Sequence, residues 1–207
     1  MPKSEIKLPR EHFSWSQLWL WENKPWEYKE IYFEKGKVDS NNRMEFGKKF
    51  AEARDSNDSD DEMIENLNMA LPAFKTKEKK LTGYIKVDGV KIKLIGKPDS
   101  LDMKSLSICE DKTGTAKWTQ KKVDGWGQLS MYSLLLWLDK KKLWKKMILN
   151  WAQTEEDEYG NIELTGHHET FETSRDTVAV LQMANRIKKA IREISIAYIN
   201  YLKENGK

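Results

Sequence analysis

Two carboxylates and a lysine fall where two strand-like segments end. Asp99 closes Gly96-Lys97-Pro98-Asp99, and Glu110, Asp111 and Lys112 lie in Ile108-Cys109-Glu110-Asp111-Lys112-Thr113-Gly114. Carboxylate oxygens are hard donors that suit Mg2+ or Mn2+. An ammonium beside such an ion can orient a water and meet the negative charge that grows on phosphorus, as hydrolysis of a phosphodiester requires. Side chains two apart on a strand share a face. Glu110 and Lys112 should therefore point one way and Asp111 the other, leaving Asp111 its peptide carbonyl as a third oxygen. The expected metal ligands are Asp99, Glu110 and that carbonyl, with Lys112 acting on the water. The plainer reading is a salt-bridged Glu-x-Lys pair on an exposed strand; alone, the pattern is short enough to arise by chance.

The elements around these residues are read from periodicity. Residues 14–32 read as helix, with Ser14 and Gln17 in capping-box spacing and Pro25 splitting the run. A second helix is expected over 43–54, and a short one ends at Ala70. Between them, Asp55-Ser56-Asn57-Asp58-Ser59-Asp60-Asp61-Glu62 reads as a solvated acidic loop without the glycine of a calcium-binding turn. Residues 81–87 and 90–95 flank Asp88-Gly89, a strong hairpin signal. A third strand is expected over 105–112, a helix over 122–139, and strands over 144–151 and 163–172. The last helix is expected to begin with Thr173 and Asp176 in capping-box spacing. Its expected apolar side carries Leu181, Ala184, Ile187, Ile191, Ile194, Tyr198 and Tyr201. Helices, three strands, a helix, two strands and a helix make an α/β chain with a mixed sheet flanked by helices.

Bulk properties narrow the function. The 207 residues suffice for one domain with a real core. A net charge of only +3 means that any nucleic-acid footprint must be a local patch. The single cysteine, Cys109, excludes an internal disulfide and a four-cysteine zinc or iron–sulfur site. The nine tryptophans are expected as large core and rim residues. No apolar run is long enough to span a bilayer, no secretory leader is visible, and a cytoplasmic protein is expected. No glycine-rich phosphate loop supports a helicase or kinase.

Several elements in order carry a resemblance. Pro98-Asp99, Glu110-Asp111-Lys112-Thr113-Gly114 and Gln128-Leu129-Ser130-Met131-Tyr132 resemble the PD-(D/E)XK nuclease superfamily, in its RecB-like branch. Ser14-Trp15-Ser16-Gln17-Leu18 and Pro25-Trp26-Glu27-Tyr28 are similar to that branch's opening Ser-x-Ser and Pro-x-x-Tyr pattern. The resemblance extends to about Leu138. It implies a restriction-endonuclease-like core and a Mg2+- or Mn2+-dependent deoxyribonuclease that leaves a 5′-phosphate. It also implies that Gln128 and Tyr132, one helical turn apart, line the cleft; a polar residue capping the sheet and a core tyrosine are the alternative. Where many members carry Gly-x-x-x-His, this chain reads Gly47-Lys48-Lys49-Phe50-Ala51-Glu52. Glu52 is the expected stand-in ligand, as an acidic residue is in phage lambda-type exonucleases, and Glu45 a weaker one; otherwise Glu52 is a solvated helix residue.

Lys117, Lys121 and Lys122 follow the site strand and are expected to contact DNA phosphates. Lys140, Lys141, Lys142, Lys145 and Lys146 read as a solvated turn or a second phosphate contact. His167 and His168 read as surface residues. The expectation is one nuclease domain over 1–207, with a helical part to about 75, a catalytic core over about 80–151 and a C-terminal strand and helix over about 162–205. It is expected to act as a stand-alone, bacterial or phage-encoded exonuclease in DNA recombination, repair or degradation, with DNA and a recombination or annealing protein as partners. An endonuclease of the same fold and a catalytically silent binding module are the alternatives.

Overall fold

The computed structural model describes residues 5–36, 40–56, 61–77 and 79–206. In chain order its elements are β1 (His12–Ser14), α1 (Trp15–Asn23), α2 (Pro25–Tyr32), α3 (Asn42–Ser56), α4 (Glu62–Ala70), β2 (Thr76–Lys77), β3 (Leu81–Val87), β4 (Val90–Gly96), β5 (Ser100–Asp102), β6 (Ser107–Gly114), α5 (Gln120–Asp124), α6 (Gly127–Lys140), β7 (Lys146–Glu156), β8 (Ile162–Thr173) and α7 (Thr177–Glu204). Residues 57–60 of the expected acidic loop lie outside the described residues. Asp61 beyond them caps α4, accepting from the amides of Met63 and Ile64.

Asp88 and Gly89 both take positive φ, 50° and 88°, the backbone twist a two-residue hairpin needs. They fold β3 back on β4 in the expected register. β1 adds to β4 in parallel, giving the order β1-β4-β3. A second sheet runs β2-β5-β6-β7-β8, parallel only at β6–β7, where α5 and α6 make the crossover. The expected mixed sheet is thus two hydrogen-bonded sheets. The chain leaves the first at Gly96 and enters the second at Ser100. Pro98 lies in that passage and has no N–H to continue a ladder.

Several boundaries differ from the sequence reading; the strand expected over 144–151, for one, is β7 and runs on to Glu156. The strand expected over 105–112 is β6, Ser107–Gly114, and it pairs with the short β5 before it across a turn in which Leu106 takes positive φ. The helix expected over 122–139 is two, because the chain breaks at Gly125 and Trp126. The last helix is capped by Asp176 alone, which accepts from the Ala179 amide at 2.8 Å, while Thr173 still belongs to β8. Its buried stripe is Val180, Met183, Ile187, Ala190, Ile191 and Ile194, and Leu181 is 55% exposed.

The main core forms around α6, whose Leu129, Met131, Tyr132, Leu134, Leu135 and Leu136 are all buried. Each such side chain contributes about 1.5–3 kcal/mol on leaving water. Two glycines let α6 approach the first sheet. A Cβ on Gly83 would come within 3.0 Å of Leu138, and one on Gly96 within 2.8 Å of Leu135 and 2.9 Å of Tyr132. A smaller core of Phe50, Ala53, Ile64, Leu67, Leu71, Ala152 and Leu164 packs α3 and α4 on the far side of the second sheet. Trp118, Trp144 and Trp151 are buried, whereas Trp26 is 77% exposed. Among the described residues, no helix is long and apolar enough to cross a membrane.

Candidate active site

Asp99 sits in the passage between the sheets, and its position is fixed by the strand beside it. β5 pairs with β6 only as far as Cys109, so the next stretch of β6 has an open edge on that side. The Asp111 amide uses that edge to donate to Asp99 Oδ2 at 2.7 Å. N–H and C=O of one strand residue point to the same side. The Asp111 carbonyl is therefore also turned away from β7, toward the side occupied by Asp99.

Glu110 is 2% exposed and organises the opposite flank. Its Oε1 accepts from Lys112 Nζ at 2.5 Å and from Gln128 Nε2. Its Oε2 lies 3.0 Å from the Tyr132 hydroxyl. Gln128 Nε2 also reaches the Tyr132 hydroxyl at 2.8 Å. Residues 128 and 132 are neighbours on one helix face, so α6 presents both at once. Glu110 and Lys112 share a face of β6, as alternation requires. The expected acid–acid–lysine convergence is present, together with Gln128 and Tyr132.

Charge is finely balanced here. Burial, then repulsion from Glu110, pushes the Asp99 carboxyl up to about 7. Burial opposes the charge on Lys112, but Glu110 and then Asp99 outweigh it and hold the ammonium protonated more firmly than usual. Burial and the Glu110 carboxylate raise Tyr132 well above the ordinary phenol range, so it stays a neutral donor.

The donor set fits a hard divalent cation. It offers two carboxylates whose mutual repulsion a cation would relieve, and a backbone oxygen from Asp111. Among the described residues no three acidic, histidine or cysteine side chains gather as a metal cluster, so a cation held here would need the Asp111 carbonyl as its third donor.

Glu52 does not join this set. It points outward, 68% exposed at its side chain, and faces Lys48 at 3.7 Å. The face of α3 toward the site is instead Gly47, Phe50, Ala51, Arg54 and Asp55, which line a cavity of about 280 Å³ with Asp99, Asp111 and Lys112. Glu45 is also exposed and accepts from the Ser40 hydroxyl at 2.7 Å. The side chain of Asp111 lies on the reverse face of β6, as alternation predicts. There it meets Arg54 Nε at 2.9 Å and Asn150 Nδ2 at 2.7 Å.

A second cavity, about 730 Å³, lies on the α6 side of the cluster. Its lining includes Arg10, His12, Ser14, Lys80, Lys97, Gln128 and Tyr132. The Ser14 to Gln17 segment, singled out by its motif, thus borders the same site. Lys117, Lys121 and Lys122 are exposed on the loop and short helix after β6. Lys117 pairs with Glu169 at 3.3 Å, and Lys122 lies 4.0 Å over the Trp118 ring. The Lys140–Lys146 cluster lies at the other end of α6, roughly 18 Å of helix from Gln128. His167 and His168 are both exposed, and His167 meets Glu169 at 3.2 Å.

Sequence reasoning missed two buried arginines. Arg54 is 4% exposed and Arg175 6%. Arg175 donates to Ser130 Oγ, Thr173 Oγ1 and the carbonyls of Val123, Ser174 and Trp126, thereby fixing the corner between α5 and α6. The available signal for Arg54 was its place beside Phe50 and Ala53 on the apolar face of α3.

The chain has a restriction-endonuclease-like fold, shared with solved structures described as exonucleases. Among solved structures it is similar to a candidate exonuclease of Eubacterium rectale, with TM-score 0.59, 11% identity and coverage of 92% of this chain and 82% of that one. It is also similar to an alkaline exonuclease of Laribacter hongkongensis, with TM-score 0.52, 12% identity and coverage of 95% and 93%. A crystal structure of the latter with dAMP matches at TM-score 0.51 and 12% identity, covering 96% and 95%. No protein-family model and no curated protein sequence matches the chain.

Proposed function

We propose that this protein is a Mg2+- or Mn2+-dependent deoxyribonuclease, and specifically an exonuclease that works on DNA ends. One observation carries the reading. Asp99, Glu110 and Lys112 come together at an open strand edge, and Gln128 and Tyr132 hold Glu110 from the neighbouring helix. The cation, when bound, would supply water activation and charge neutralisation. Asp99, Glu110 and the Asp111 carbonyl are the residues to hold it. Lys112, kept as an ammonium, donates to the attacking water and offsets charge on the phosphoryl oxygens. Its raised proton affinity makes it a poor acceptor for the proton the water gives up. Gln128 and Tyr132 stop Glu110 from rotating away.

DNA reaches the site from two sides. Arg10, Lys80 and Lys97 line the larger cavity and offer cations to a strand end. Lys117, Lys121 and Lys122 stand on the side where β6 ends and are assigned to phosphates there. The reading of an exonuclease draws support from the fold's likeness to proteins described as exonucleases, one of them crystallised with dAMP. A role in recombination, repair or DNA degradation, with a recombination or annealing protein as partner, belongs to the same proposal.

The test is digestion of linear and of covalently closed circular DNA, each with Mg2+ and with EDTA. Mg2+-dependent loss of the linear form alone is expected. Cutting of both forms would make the protein an endonuclease. Binding without cutting of either would make it a silent module.

A further inference from the structure

We infer that Arg54 is a positioning residue for the metal site, acting through Asp111 from the reverse face of the site strand. The inference rests on the metal-binding reading of Asp99, Glu110 and the Asp111 carbonyl. It assigns a role to a residue outside that set.

Asp111 is held from three directions. Its amide binds Asp99. Its Oδ2 takes Arg54 Nε at 2.9 Å, with Nη2 at 3.5 Å from Oδ1. Its Oδ1 takes Asn150 Nδ2 at 2.7 Å. Asn150 is itself oriented, because its Oδ1 accepts from Thr170 at 3.0 Å. A peptide pinned in this way cannot twist about the strand axis. Twisting would swing the Asp111 carbonyl out of the metal position and pull its amide off Asp99. The side chain of Asp111 thus serves the site without facing it.

Arg54 suits this task because it is anchored independently of Asp111. Its Nη1 lies 3.4 Å from both Asn68 Oδ1 and the Leu71 carbonyl, and its Nη2 lies 3.2 Å from the Pro72 carbonyl. The guanidinium therefore ties β6 to α4 and to the chain that follows it. Lysine at this position can keep the charge but has no planar fork to hold Asp111 and these carbonyls together. Loss of an outer partner of this kind typically weakens metal binding about 10–100-fold.

Arg54→Lys is the variant to examine, with Mn2+ binding followed by calorimetry and folding by circular dichroism. A distant core truncation, Ile191→Val, serves as a control for lowered stability alone. Arg54→Lys is expected to bind Mn2+ at least ~10-fold more weakly while binding DNA in EDTA as wild type does. Ile191→Val is expected to melt earlier yet keep wild-type Mn2+ affinity. A folded Arg54→Lys with wild-type Mn2+ affinity overturns the inference. If Arg54→Lys does not fold, Asn150→Ala removes the second donor to Asp111, and wild-type affinity there overturns it equally. A wild-type protein that binds no Mn2+ overturns the underlying metal reading instead.

Discussion

At the scale of single residues, the site is a buried carboxylate, Glu110, paired with Lys112 and near enough to Asp99 to raise its proton affinity. Lys112 is the one whose removal should separate chemistry from structure, because its side chain is partly exposed and stands outside the buried core. Lys112→Ala should lower DNA cleavage by ~10²–10⁴-fold in a gel assay while circular dichroism and DNA binding stay near wild type. Asp99 gives a pH signature of unusual sign. Its carboxyl is raised to about 7 from the ordinary carboxylate range, so ionising it costs the folded state. Without metal, stability should fall as pH rises from about 4 toward 7 and be fully reduced above that. Mn2+ should therefore raise the melting temperature more at pH 8 than at pH 5, and Asp99→Asn should flatten both trends. An equal Mn2+ effect at the two pH values would remove Asp99 from the ligand set. These residues were legible because the period of a strand and the turn of a helix are local rules. Glu110, Lys112, Gln128 and Tyr132 all obey them. Glu52 was not legible, because a glycine spacing does not say which face of α3 docks. The partners of Asp111 were invisible for another reason: Arg54 is 57 residues away and Asn150 is 39.

At the scale of elements, α6 must reach the sheet closely enough for Gln128 and Tyr132 to meet Glu110. Gly96 provides that closeness. Gly96→Ala would drive a methyl against Tyr132 and Leu135, at a cost of about 1–3 kcal/mol. Chemical denaturation should register the loss, and cleavage should drop with it because Tyr132 is pushed from Glu110. Arg175 governs the other end of the same problem. Arg175→Ala leaves the Val123 and Trp126 carbonyls without their donor and should destabilise the protein by at least about 2 kcal/mol. Most elements could be read from their own sequence: the Asp88-Gly89 hairpin, the Pro25 break and the acidic cap of α7. The split of α5 from α6 could not. The break falls at Gly125 and Trp126, and the carbonyls it frees at Val123 and Trp126 accept from a guanidinium that arrives from the β8–α7 junction. The stripe of α7 was read correctly except at Leu181, which is exposed where Val180 turns inward; Ala184, Ile187, Ile191, Ile194, Tyr198 and Tyr201 all lie in or against the core.

At the scale of the whole molecule, two sheets meet where the chain passes from β4 to β5, and the site occupies that seam. The sequence carried the order of elements but not the seam itself, since the very short strands β1 and β2 pair with partners distant in sequence. Two cavities flank the cluster, one lined by Asp99, Asp111 and Lys112 and the other by Gln128 and Tyr132, and on the proposed function a DNA strand would lie across them. The most direct measurement is the rate at which wild type and Glu110→Gln release nucleotides from linear duplex DNA, with Mg2+ and with EDTA. Wild type should release them only with Mg2+, and Glu110→Gln should be slower by about 100-fold or more. Release by Glu110→Gln at the wild-type rate, or release by wild type in EDTA, would contradict the account.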